Sequence, residues 1–74
     1  MTALRTKLGR AIRRLRKEAG YSQESFADKC RVHRTYMGAV ERGETNMSLD
    51  NVERIAKALN LSAAQLLREA ENER

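Results

Sequence analysis

The stretch that decides the fold is residues 22–43, which read SQESFADKCRVHRTYMGAVERG. A helix is predicted over Ser22–Cys30, because Ser22 is a favoured N-cap residue and the apolar residues after it follow helical spacing. A second helix is predicted over Arg34–Arg42, and Gly43 is placed to end it. Two helices joined by about three residues form a helix-turn-helix, whose second helix can enter a major groove of DNA.

Helical periodicity continues on both sides of this stretch, whereas the alternation expected of strands is absent. A first helix is predicted over Ala3–Ala19, and Ser48 caps a fourth. Ser62 and Gln65 have the pattern of a capping box and open a fifth helix, after which residues 71–74 are expected to fray. The apolar residues assigned to the three buried faces are Leu4, Leu8, Ala11, Ile12, Leu15 and Ala19; Leu49, Val52, Ile55, Ala56 and Leu59; and Ala63, Leu66, Leu67 and Ala70. The prediction is a compact all-α domain of five helices over residues 1–74.

The charge of the chain is uneven. The net charge is +5, and residues 1–34 carry ten Lys/Arg against three Asp/Glu, whereas residues 35–74 carry five against seven. A basic half facing an acidic half indicates a polyanion bound on one side. Charge alone does not separate DNA from RNA or from an anionic membrane, but the aromatic residues that would stack RNA bases are few.

Enzymatic and metal chemistry find little support in the sequence. Cys30 is the only cysteine, and with His33 it supplies two ligands where a zinc site usually needs four. No nucleophile elbow, phosphate-binding glycine loop or catalytic set is recognisable, so we expect no cofactor, no metal and no enzyme. The first twenty residues are basic and lack an apolar core, and no stretch has the length of a membrane span, so a cytoplasmic protein is expected.

Several motifs together resemble the phage-repressor family of helix-turn-helix proteins, which includes Cro and lambda repressor. They are SQESFA at 22–27, Val32, YMGAVERG at 36–43, Ser48-Leu49 and IAKAL at 55–59. The segment running from Arg34-Thr35-Tyr36 into Glu41-Arg42-Gly43, followed by Asn46, is similar to the controller proteins of restriction–modification systems. The resemblance implies a lambda-repressor-like fold and a dimer that binds operator DNA ahead of its own gene and the endonuclease gene.

Two positions depart from the family pattern. Arg31 stands in the turn, where the family often has Gly or Asn, so the turn either avoids the left-handed conformation or is mildly strained. Ser25 replaces an acidic residue, which predicts an incomplete capping box at Ser22.

The outward face of the predicted third helix carries Arg34, Thr35, Gly38 and Ala39, with Arg42 further along. Arg34 lies near the helix N-terminus, and its guanidinium can bond guanine O6 and N7, so we predict base contacts from Arg34, Thr35 and Ala39. Phosphate contacts are predicted for Gln23, Tyr36, Arg42, Asn46 and Ser48. Glu41 would repel DNA and is predicted to turn away and pair with a basic residue.

The predicted function is sequence-specific regulation of transcription by a homodimer on double-stranded DNA, with RNA polymerase as a candidate partner. Leu61, Leu66 and Leu67 are predicted to form the dimer interface. The alternatives are a phage repressor or antitoxin-type regulator with the same fold, and a module that bridges other transcription factors. The bridging module would bind DNA weakly and expose apolar surface beyond a dimer patch.

Overall fold

The computed structural model describes residues 3–73, which form five helices. They are α1 (Leu4–Glu18), α2 (Gln23–Cys30), α3 (Arg34–Glu41), α4 (Leu49–Ala58) and α5 (Ala63–Glu71). Within this part of the chain there is no strand, and the all-α prediction is confirmed. None of these helices is both long and apolar enough to span a bilayer.

The apolar faces of the five helices meet in one core. α1 packs against α3 and α5, and α2 packs against α3 and α4. The largest fully buried side chains are Phe26, Ile12, Met37, Ile55, Leu66 and Val40. α1 therefore supports the helix-turn-helix from behind and fixes the position of α3.

Gly9 lets α1 and α3 approach closely. A Cβ atom at Gly9 would lie 2.3 Å from the carbonyl oxygen of Val40 and 2.9 Å from that of Glu41. Real Cβ atoms essentially never come within 3.0 Å of such an atom, so only glycine fits between these two backbones. The seat of α3 on α1 depends on this contact.

Serine residues cap three of the helices. Ser22, Ser48 and Ser62 accept hydrogen bonds from the backbone N–H groups of Ser25, Asn51 and Gln65. At α2 the hydroxyl of Ser25 also accepts the N–H of Ser22, at 3.0 Å. The capping box at Ser22 is thus complete, and its predicted incompleteness was wrong, because a serine hydroxyl accepts this bond in place of a carboxylate.

The turn between α2 and α3 takes the left-handed conformation. Arg31 has φ 60° and ψ 41°, which settles the question that the sequence left open. Its N–H donates to the carbonyl of Asp28, and the N–H of Val32 donates to that of Ala27. These two bonds hold a conformation that costs a residue with a Cβ about 1–2 kcal/mol.

Three assignments from periodicity are corrected by the structure. Leu49 is 82% exposed, since it is the first residue of α4 and lies beyond the edge of the core. Leu66 is 0% exposed and belongs to the core, so its side chain is not available to a dimer partner. Leu4 and Ala19, assigned to the buried face of α1, are exposed. Fraying at the C-terminus stays a prediction: α5 ends at Glu71, and Glu73 pairs with Arg14 at 2.9 Å. Arg74 lies outside the described residues.

Candidate nucleic-acid interface

The exposed face of α3 begins with the two side chains predicted to read bases. Arg34 and Thr35 are exposed on its first turn, and Ala39 is half-buried one turn further on. His33 caps the helix: its Nδ1 accepts the N–H of Thr35 at 3.1 Å. The first turn of α3 therefore offers an exposed arginine and an exposed threonine on a backbone that is locally fixed.

Gly38 does not belong to that exposed face. It is buried, and a Cβ there would lie 3.1 Å from Nη1 of Arg42 and 3.5 Å from Oε1 of Gln23. The side chains of Arg42 and Gln23 therefore cover it. The prediction that Gly38 faces the groove is wrong, because side chains from the next turn and from α2 cover it.

Glu41 is buried and forms an ion pair with Arg16 of α1. The prediction that Glu41 turns away from the surface and pairs with a basic residue is confirmed. The Nε of Arg16 donates to Oε2 at 2.7 Å and its Nη2 donates to Oε1 at 3.0 Å. The two side chains are 8% and 4% exposed. Arg16 also donates from Nη1 to the backbone carbonyl of Tyr21 at 3.0 Å, so its guanidinium is satisfied on three nitrogens.

This ion pair also holds Gln23, one of the predicted phosphate contacts. The Nε2 of Gln23 donates to Oε1 of Glu41 at 3.2 Å. One amide hydrogen is thereby fixed inward, and the second hydrogen of the same nitrogen stays free for an acceptor. The backbone N–H groups at the start of α2 lack intrahelical acceptors, as in any helix, and point toward the same side. The start of α2 is therefore a fixed set of donors.

The other predicted phosphate contacts lie along α3, in the loop after it and at the start of α4. Arg42 is exposed and pairs with Glu44 at 3.0 Å. Asn46 accepts from Arg5 of α1 at 3.0 Å, and the hydroxyl of Tyr36 accepts from Asn51 at 3.1 Å. Ser48 caps α4 and remains exposed.

An exposed carboxylate lies beside each of the two arginines at the ends of α3, Arg34 and Arg42. Arg34 lies 3.6 Å from Glu24, with both side chains more than half exposed, and Arg42 pairs with Glu44 in a similar setting. Exposed ion pairs contribute about 0–1 kcal/mol, so a DNA phosphate or a base can displace the carboxylate at small cost. These pairs hold the guanidiniums in place without closing the surface.

Two arginines of α1 join the site although they were not singled out from the sequence. Arg13 and Arg16 line a cleft of about 160 Å³ together with Gln23, Gly38, Glu41 and Arg42. Arg13 is exposed and lies at the mouth of the cleft, whereas Arg5 reaches the other end of the surface through Asn46. The helical register of α1 places these residues toward α3, but only the packing angle of the two helices identifies them.

The described residues do not form a metal site. No group of three or more His, Cys, Asp or Glu side chains over residues 3–73 is arranged to hold a metal ion. Cys30 is buried, and burial raises the pKa of its thiol to about 11. The thiol therefore stays protonated at neutral pH and packs as a small apolar residue.

Known proteins are similar to this chain in sequence and in the arrangement of their helices. A family model described as helix-turn-helix matches residues 12–66. The control protein C.BamHI of Bacillus amyloliquefaciens is 43% identical over 65 residues, which span 86% of this chain and 80% of that protein. The control protein C.MunI of a Mycoplasma species is 36% identical over 74 residues, or 99% of this chain and 100% of that protein.

Among solved structures, the restriction-modification controller protein C.AhdI from Aeromonas hydrophila superposes with a TM-score of 0.80 at 40% identity. The superposition covers 84% of this chain and 94% of that one. The family match at residues 12–66 includes both α2 and α3. The chain belongs to the helix-turn-helix family and is a DNA-binding regulator of transcription.

Proposed function

We propose that the protein is a homodimeric controller of restriction–modification genes that binds a two-fold symmetric operator. The observation that carries the proposal is the match to C.MunI, a control protein that this chain covers over its full length. The similarity to C.BamHI and to the structure of C.AhdI supports the same assignment.

In this proposal α3 is the reading helix, and its first turn enters the major groove of each half-site. Arg34 and Thr35 contact base edges, and Ala39 approaches a thymine methyl group. Gln23 at one end of the surface and Tyr36, Arg42, Asn46 and Ser48 toward the other contact phosphates and fix the register. RNA polymerase is a candidate partner for a protein bound in this way at a promoter.

Selection of bound sequences from a random duplex pool tests the proposed function. A short palindrome with two identical half-sites is the expected winner, because a two-fold dimer presents the same face to two successive major grooves. Enrichment of a single unrepeated half-site would contradict the dimer, and the absence of any enriched sequence would favour the module that bridges other factors.

Replacing Arg34 with alanine is expected to cost about 1–3 kcal/mol on the best operator and to remove base preference at one pair in each half-site. Arg42→Ala is the matched control, since both side chains are exposed arginines beside one exposed carboxylate. It should weaken binding to all sequences about equally. Binding of both variants to operators with single base-pair changes is the measurement. A uniform loss with Arg34→Ala would make Arg34 a phosphate contact.

The logarithm of operator affinity is expected to fall linearly with the logarithm of salt concentration, at a slope of about −0.9 per neutralised phosphate. Arg42→Ala should make the slope shallower by about one unit for each phosphate contact it removes. Titrations of operator binding at several salt concentrations measure both slopes. Equal slopes for the two proteins would remove Arg42 from the phosphate contacts.

Self-association is proposed to use α4 and α5, with Leu66 removed from the predicted interface. Leu61 and Leu67 are half-buried and remain in it, and Leu49 is added because it is the most exposed large apolar side chain of the described residues. Leu49→Glu is expected to lower the dimer population at micromolar concentration in sedimentation equilibrium, with an unchanged circular dichroism spectrum. Leu4→Glu alters the other exposed leucine, on α1. If Leu4→Glu disrupts the dimer and Leu49→Glu does not, the interface lies on α1.

A further inference from the structure

The last turns of α2 and α4 enclose a cavity of about 470 Å³ between them. Four cationic side chains line it, two from each side: Lys29, Arg31, Arg54 and Lys57. Cys30 and Ala58 complete the lining. We call this the cation pocket, and no carboxylate takes part in its wall.

The cation pocket brings four cations together without a carboxylate partner. Arg14, Arg16, Arg34 and Arg42 each pair with a carboxylate. The four cations of the pocket have no side-chain hydrogen bond or ion pair with any residue between 3 and 73. Like charges placed together repel one another, so their convergence costs stability unless an anion from another molecule joins them.

Most of the pocket lies apart from the phosphate contacts proposed on α2 and α4. The phosphate contacts proposed on α2 and α4, Gln23 and Ser48, lie at the N-terminal ends of these helices, and the pocket lies at their C-terminal ends. At a rise of 1.5 Å per residue, Lys29 is about 9 Å along α2 from Gln23, and Lys57 is about 13 Å along α4 from Ser48. Lys29, Arg54 and Lys57 therefore lie away from the proposed phosphate contacts, whereas Arg31, in the turn three residues before Arg34, marks the side of the pocket nearest the first turn of α3.

The lining of the pocket indicates the chemistry of its occupant. All four cations are exposed, so each ion pair with a single small anion would be weak, and the occupant must supply several charges at once. Single-stranded nucleic acid is held largely by stacking on aromatic side chains, and none lines the pocket. A polypeptide with several carboxylates meets the charge requirement, and its apolar side chains can pack on the half-buried Ala58.

We propose that the cation pocket docks an acidic segment of a partner protein while the reading helix holds DNA. The proposal rests on the proposed function only through the position of the duplex. It places the partner at the end of the domain away from the phosphate contacts. A regulator built in this way can bring an acidic surface of another protein to its operator without giving up its own contacts.

A fluorescein-labelled, glutamate-rich peptide that also carries leucines is the probe, and the same peptide with glutamine for glutamate is the peptide control. The test variant is Arg54→Glu/Lys57→Glu. The matched control is Lys17→Glu/Arg68→Glu, which changes the net charge equally at exposed cations outside both sites. Fluorescence anisotropy measures the peptide, and a labelled operator measures DNA binding in parallel.

Peptide affinity is expected to fall about tenfold or more in the test variant and less than about threefold in the control, because only the first replaces local attraction with repulsion. Operator affinity should change equally in the two variants when sedimentation equilibrium shows the same dimer population for both, a check that is needed because Arg54, Lys57 and Arg68 lie on the helices proposed for self-association. Arg54→Gln/Lys57→Gln, a milder change, serves if the reversed variant does not fold.

An equal loss of peptide binding in both variants, or no peptide binding to the unaltered protein, would overturn the docking proposal. A much larger loss of operator binding in the test variant than in the control would also overturn it, because the occupant would then be the DNA backbone. None of these outcomes bears on the selected palindrome, so failure of the docking site and failure of the proposed function are distinguishable.

Discussion

Replacing Glu41 with alanine is expected to lower the free energy of unfolding by about 3–5 kcal/mol, a large part of the stability of a domain this small. The substitution leaves the guanidinium of Arg16 buried without its carboxylate, and it removes the acceptor of the Gln23 amide. An uncompensated buried charge costs far more than the lost attraction. Urea denaturation followed by circular dichroism measures the change.

The double variant Arg16→Met/Glu41→Leu is the control that separates the two causes. It removes both charges, so it is expected to recover a substantial part of the loss, although the bond from Arg16 to the carbonyl of Tyr21 is missing. If the Glu41→Ala variant instead loses less than about 1 kcal/mol, the ion pair behaves as a surface pair. Burial would then add little to the contribution of this ion pair to stability.

Replacing Gly9 with alanine is expected to destabilise the fold by about 2–3 kcal/mol and to weaken operator binding at temperatures where the protein is still folded. The new Cβ would meet two backbone carbonyls of α3, which cannot move aside as a flexible side chain can. The helices must separate, and the reading helix then moves relative to α1. Thermal and urea unfolding give the stability, and operator titration gives the binding.

Gly20→Ala is the matched control for this prediction. Gly20 has a positive φ of 85°, but a Cβ there meets nothing within 4 Å. Backbone strain alone should therefore cost about 1–2 kcal/mol and leave operator binding by the folded protein unchanged. Equal effects of both substitutions on binding would contradict the view that Gly9 sets the position of α3.

Local patterns in the sequence determine most of the helices. Serines at the starts of α2, α4 and α5 and the apolar spacing after them place these helices within a residue or two. The same spacing misplaces Leu49, because periodicity identifies a face but not where along the helix the core ends. Periodicity also cannot distinguish Leu66, which lies in the core, from a leucine exposed for contact with a second subunit.

The site is harder to predict from the sequence, because its contacts join residues that are far apart in the chain. Arg16 and Glu41 are 25 residues apart, and Gln23 and Glu41 are 18 apart. That Glu41 needs a basic partner follows from its place beside the reading surface, but the identity of Arg16 follows only from the packing of α1 on α3. The covering of Gly38 by Arg42 follows from their spacing of four residues, whereas its covering by Gln23 depends on the packing of α2 on α3.

The hydroxyl that closes the cap of α2 has a consequence for how the protein responds to acidity. A glutamate in place of Ser25 would bring a titratable negative charge next to the donors proposed to hold a phosphate. A serine closes the cap with no charge to gain or lose, so it adds no second carboxylate to the first turn of α2, which already carries Glu24. The cap that positions Gln23 is therefore held by two hydroxyls whose protonation does not change with pH, and Ser25 keeps the geometry of this helix start independent of mild acidification.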